Sequence, residues 1–113
     1  MSYNMLMSQK DPLSKKVELL TDDYAKQILA GCYNEPMSAQ HISWKFNIPI
    51  AATYRRLNAL KKTGLVEEVD DTEAGGNDAA KYKTSLKKAK LIFEEGVFSV
   101  KMEVGEEKIE SEL

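Results

Sequence analysis

The run SAQHISWKFNIPIAATYRRLNALKKTGLV, from Ser38 to Val66, carries two helical periodicities that a single helix cannot hold, and it constrains the fold more than any other segment. Ala39, Ile42, Ser43 and Phe46 share one helical face, with Ser38 placed to act as N-cap. Asn47-Ile48-Pro49 then breaks the period. Proline suits the first turn of a new helix, where its missing N–H costs nothing, and Thr53, Leu57 and Leu60 resume an i, i+4, i+7 stripe. Gly64 ends the second helix, and Leu65-Val66 starts a strand directly behind it. The spacing therefore predicts two short helices joined by a tight turn and followed by an edge strand.

Opposite the Thr53, Leu57 and Leu60 stripe lie Ala51, Arg55, Asn58 and Lys62, with Tyr54 and Lys61 to one side and Arg56 on the other flank. No acid occurs between Pro49 and Thr63. Such a face meets phosphates through Lys and Arg, while Arg55, Asn58 and Tyr54 reach base edges, since arginine pairs bidentately with guanine and asparagine with adenine. The plainer reading is a solvated helix face, with the stem of Arg56 covering the core.

Four stretches carry a family resemblance: LLTDDYAKQIL (Leu19 to Leu29), EPMSAQHIS (Glu35 to Ser43), ATYRRLNALKKTGLV (Ala52 to Val66) and KYKTSL (Lys81 to Leu86). Through them, residues Leu20 to Thr84 resemble ArsR/MarR-like winged helix-turn-helix transcription regulators, particularly small archaeal-type ArsR-like proteins. The resemblance is specific, in its helix-turn-helix part, at the level of the superfamily and does not select one regulator among many. It implies an α+β fold, a three-helix core with a β-hairpin wing. It also implies that Ile50, Ala51, Tyr54 and Arg55 approach the major groove, that Ser38, Asn58 and Lys62 touch backbone phosphate, and that the loop Thr72 to Ala80 is the wing tip. With Arg56, Lys81 and Lys83 added for their charge, these residues form the expected DNA-binding set.

The chain departs from the metal-sensing members, which place a Cys-rich motif on the helix before the recognition helix. Ser38 to Phe46 has no cysteine, and one Cys32 with one His41 cannot supply paired soft ligands. No metal and no cofactor are expected. No enzyme is expected either: Gly75-Gly76 lacks the strand-to-helix setting of a phosphate loop, and no Ser or Cys nucleophile has an identifiable base.

A chain of 113 residues makes one domain. It has no apolar run of membrane-spanning length, and the Met-rich start MSYNMLMSQK does not form a signal peptide, so the expected location is cytoplasmic, with no membrane partner. Cys32 continues the stripe Ala25, Ile28 and Leu29, which predicts a buried thiol rather than a redox sensor.

The net charge of −2 is unevenly distributed. Residues 1–64 carry 9 basic and 5 acidic groups, residues 65–80 carry 6 acids and no base, residues 81–90 carry 5 lysines, and residues 91–113 carry 7 acids and 2 lysines. Binding follows the local field rather than the total. Lys81, Lys83, Lys87, Lys88 and Lys90 could add phosphate contacts, whereas Glu67, Glu68, Asp70, Asp71 and Glu73 would repel a phosphate backbone.

Elsewhere, Asp11-Pro12 opens a short helix through Leu20, and Thr21 with Asp22 and Asp23 starts a helix predicted to run from Asp22 to Gly31. Beyond the wing, apolar residues alternate in Ala89, Leu91, Phe93 and again in Phe98, Val100, Met102, Val104 on either side of Glu95-Gly96. That period of two predicts a second hairpin; a helix from Leu86 to Glu95 is the rival reading. Two strands are marginal alone, so the apolar row should pack on the domain or on a second copy. The resulting division is an arm over 1–20, a winged helix-turn-helix over 21–86, a C-terminal β-hairpin over 87–104 serving dimerisation, and a disordered acidic tail over 105–113.

The expected function is a sequence-specific regulator that binds double-stranded DNA as a homodimer, with residues 49–63 in the major groove. The alternative is a winged-helix module that contacts a protein instead. A small-molecule effector would need a cavity that sequence does not reveal. Trp44 points away from the core face of its helix, either under the apolar N-terminal residues Tyr3, Met5, Leu6 and Met7 or toward a partner, and His41 lies on a polar flank.

Overall fold

Asp22 starts the helix around which the first half of the molecule is built, because its carboxylate accepts the Ala25 N–H at 2.8 Å and satisfies an otherwise orphaned donor. The computed structural model describes residues 12–69 and 80–113; the N-terminal residues Tyr3 to Met7, Asp11 and nearly all of the expected wing tip, including Gly75-Gly76, lie outside them. In chain order the helices are α1 (Pro12–Leu20), α2 (Asp23–Asn34), α3 (Ala39–Phe46) and α4 (Ile50–Lys62). The strands are β1 (Met37–Ser38), β2 (Val66–Val69), β3 (Lys81–Thr84), β4 (Leu86–Glu94), β5 (Val97–Val104) and β6 (Glu107–Glu112). Among the described residues the fold is α+β, four helices with two antiparallel three-stranded sheets ordered β1-β3-β2 and β4-β5-β6.

The core lies among α2, α3, α4 and the inner face of the first sheet. Ile28 and Cys32 of α2, Ile42 of α3, Leu57 and Leu60 of α4, and Leu65 are all buried there. The stripe that the period predicted on α4 is thus the buried one, and Thr53 joins it by donating its hydroxyl to Pro49 O at 3.1 Å. Thr84 ties β3 to α2 by donating to Leu29 O at 2.7 Å.

The helix α2 does not stop at Gly31 but continues to Asn34. Gly31 is there for closeness: a Cβ at this position would come within 2.5 Å of the Phe46 ring and 2.9 Å of the Met37 side chain. Between α3 and α4, Asn47 takes the left-handed conformation (φ 54°, ψ 47°), and the Ser43 hydroxyl donates to Ile48 O at 2.6 Å. Asparagine tolerates that conformation better than most side chains do.

Residues 86–94 form a strand, so the helical alternative for Leu86 to Glu95 is not adopted. Glu95 and Gly96 both have positive φ, 50° and 83°, as the two-residue turn of a twisted hairpin requires. The expected disordered tail is corrected: Gly105 has φ 59° and turns the chain into β6, which pairs along β5 from Ser99↔Glu112 to Val104↔Glu107. An acidic edge strand gains the backbone ladder while its outward charges discourage further pairing.

Ser85 alone separates β3 from β4. Its N–H donates to Leu65 O at 2.9 Å and its carbonyl accepts from Gly105 N–H at 2.8 Å, so the backbone is fastened to both parts. The molecule is elongated, 54 × 28 × 22 Å. Among the described residues no helix is long and apolar enough to cross a membrane.

Candidate nucleic-acid interface

Burial of Ala52, Thr53, Leu57 and Leu60 fixes the rotation of α4, and the residues between them are turned outward. Ile50, Ala51, Tyr54, Arg55, Asn58 and Lys62 are all exposed, on one continuous face. Pro49 precedes the helix with extended backbone and gives no side-chain cap, and the first turn holds no acid. The positive end of the helix dipole is therefore uncompensated by any acidic side chain of that turn. Tyr54 is braced from α3, its hydroxyl accepting from Gln40 Nε2 at 3.0 Å.

Arg56 departs from the expected set. Its Nε and Nη2 donate to the two carboxylate oxygens of Asp22 at 3.1 and 3.0 Å, and its guanidinium lies 5.4 Å from the centre of the Tyr24 ring. The paired hydrogen bonds from Arg56 hold the Asp22 carboxyl below its ordinary pKa, against the opposing effect of burial. Arg56 is consequently a clamp between α4 and the N-terminus of α2, turned away from the outward row.

Lys61 is also engaged, at 3.0 Å from Glu68 of β2, and that hydrogen bond raises its pKa. Glu68 is thus balanced locally. Register sets Lys81 opposite Ser38 and Lys83 opposite Glu67, on the outer sheet face, while Met37, Val66 and Thr84 point to the core. Ser38 itself caps α3, accepting from His41 N–H at 3.1 Å. The expected residues therefore fall into three groups: the α4 row, the outer-face group of Ser38, Lys81 and Lys83, and the inward-clamped Arg56.

Arg55, Asn58 and Lys62 also form one wall of an open cleft of about 760 Å³, with Lys15, Glu18 and Asp22 on the other side. Sequence reasoning missed this neighbour of the α4 row, because nothing local relates α1 to a helix some 40 residues later. Trp44 is 82% exposed, and the N-terminal residues considered as its cover lie outside the described part. Among the described residues no cluster of three or more His, Cys, Asp or Glu side chains could hold a metal ion. No protein-family model matches the chain, and no curated protein matches it either.

Proposed function

We propose that this protein is a sequence-specific, dimeric DNA-binding transcription regulator of the winged helix-turn-helix type, with α4 entering the major groove. One observation carries the reading: an acid-free helix presents Tyr54, Arg55, Asn58 and Lys62 outward, on a side opposite to its buried stripe. Arginine and asparagine there suit base edges, and the terminal lysine suits phosphate. The order α2, β1, α3, α4, β2, β3, with β1 pairing to β3, is consistent with this fold type. Lys81 and Lys83 would serve as flanking phosphate contacts from the strand beyond the wing tip.

The test is fluorescence anisotropy on genomic fragments over a salt series. Tight binding that depends on sequence, with a slope in log salt reflecting several phosphate contacts, supports the reading. Sequence-independent binding, or none, sinks it. A second reading, a protein-interaction module, is favoured by Trp44, whose large exposed indole has the character of an interface anchor. The two separate in the same experiment, because only the first gives base dependence.

A further inference from the structure

The β4-β5-β6 sheet has one charged face and one apolar face. Lys88 meets Glu103 at 3.6 Å and Lys101 meets Glu110 at 3.9 Å on the first. On the second, register aligns three cross-strand rows: Ala89, Met102 and Ile109; Leu91, Val100 and Ser111; Phe93 and Phe98. Leu113 extends the last row, its N–H donating to Phe98 O at 3.0 Å. Val100 and Met102 on the central strand are buried, yet neither belongs to the helical core. Around them Leu91 is 55%, Phe93 61%, Phe98 52% and Leu113 52% exposed.

We infer that this apolar face is the seat of a second copy of the chain, the two sheets packing face to face about a two-fold axis parallel to β5. The inference deepens the dimer in the proposed regulator and rests on that part of it. Area is the first argument. Phenylalanines bury ~150–250 Å² each; with Phe93 and Phe98 more than half in water and Leu91 and Leu113 adding nearly as much, the four expose on the order of 400 Å² per copy. Two copies would then bury roughly 800 Å² from these residues alone, and the surrounding rim carries the total toward the ~1,000 Å² that is the lower bound for a specific interface.

Placement of the helical units is the second argument, and it selects the axis. Lys88, Lys90, Glu110 and Glu112 lie on the charged face and stay in water on the outside of the pair. An axis along β5 lays each β4 over the partner's β6 and leaves both helical units at the same end, where two α4 helices can meet one duplex. An axis across the strands would carry them to opposite ends.

Adjacent residues on opposite faces give the test. Sedimentation equilibrium of the full chain should return twice the 12.7 kDa chain mass. Phe98→Lys should weaken self-association tenfold or more, while Val97→Lys on the charged face leaves it unchanged. Phe93→Lys, at the most exposed of these positions, serves as a second variant, and circular dichroism checks that each remains folded. A monomeric wild type, or a dimer indifferent to both folded Phe variants, overturns the inference. For the axis, a short bismaleimide should join a copy bearing Ala89→Cys to one bearing Ile109→Cys more readily than it joins two Ala89→Cys copies; the reverse order overturns it. A dimer that breaks as expected but never binds DNA refutes only the regulator reading. A DNA-binding protein whose mass ignores Phe98 and Phe93 refutes only this one.

Discussion

Arg56 and Asp22 are joined by two hydrogen bonds, 3.0 and 3.1 Å, across 34 residues of sequence, and Asp22 at the same time caps α2. One carboxylate therefore fixes both where α2 begins and how α4 lies beside it.

Asp22→Ala removes the cap and one end of the ion pair. It should cost about 1–3 kcal/mol, most of it from the cap and from the unpaired guanidinium, since a pair about 29% exposed is partly screened. Asp22→Asn retains a capping oxygen and should cost less. The Asp22 pKa is lowered in the folded state, so its contribution is present above the unfolded value near 3.8 and is lost as pH falls through the folded value. The stability gap between wild type and Asp22→Asn in urea melts should therefore be smaller near pH 3 than at neutral pH.

Neighbouring arginines should separate stability from recognition. Arg55→Ala is expected to leave the melting curve within ~0.5 kcal/mol of wild type and to cost ~1–3 kcal/mol of binding at one operator position. Arg56→Ala should do the opposite, lowering stability while preserving base preference. Lys62→Ala should weaken all sequences alike and reduce the salt slope by about one unit. Anisotropy and urea melts on the three variants decide the matter.

Gly31→Ala ought to stabilise a helix interior by up to ~1 kcal/mol on propensity alone. Here the added methyl meets the Phe46 ring at 2.5 and 2.7 Å, so the expected outcome is a loss of about 1–3 kcal/mol from overpacking. A Gly31→Ala, Phe46→Leu double variant should be less destabilised than the two single losses added together, which a double-mutant cycle measures.

Cys32 is buried, and burial pushes its thiol up to about 11 from an ordinary 9.0. The neutral form is the one that folds. Its contribution is complete below pH 9 and is lost as pH rises from there through about 11, so wild type should lose stability over that window relative to Cys32→Ala. At pH 8 a thiol reagent should modify Cys32 only as fast as the protein opens, and urea should accelerate the reaction.

The elements legible in the sequence were those with a strong period. The stripes through Ile42 and through Leu57 and Leu60 gave α3 and α4, and the alternation about Glu95-Gly96 gave the β4-β5 hairpin. What escaped was set by tertiary contact. Asp22 offers no local sign that it will bind Arg56, and Gly31 resembles a helix end until Phe46 is seen against it. β6 was hidden by composition: its acids suggest a solvated tail, yet Ile109, Ser111 and Leu113 alternate behind Gly105, and a neighbouring ladder is enough to order them. Of the residues expected to bind DNA, the outward exposure of the α4 row was legible because burial of one side dictates the other. The diversion of Arg56 was not.

The connection at Ser85 has a mechanical consequence. With one residue between β3 and β4, and that residue's backbone hydrogen-bonded on both sides, the joint has few torsions free to swing. Two copies gripped through their outer sheets would hold their α4 helices at a single separation and bearing. Were that pair to read DNA as proposed, it would tolerate little variation in the distance between its two half-sites, and glycines inserted after Ser85 should relax that stringency before they weaken either grip.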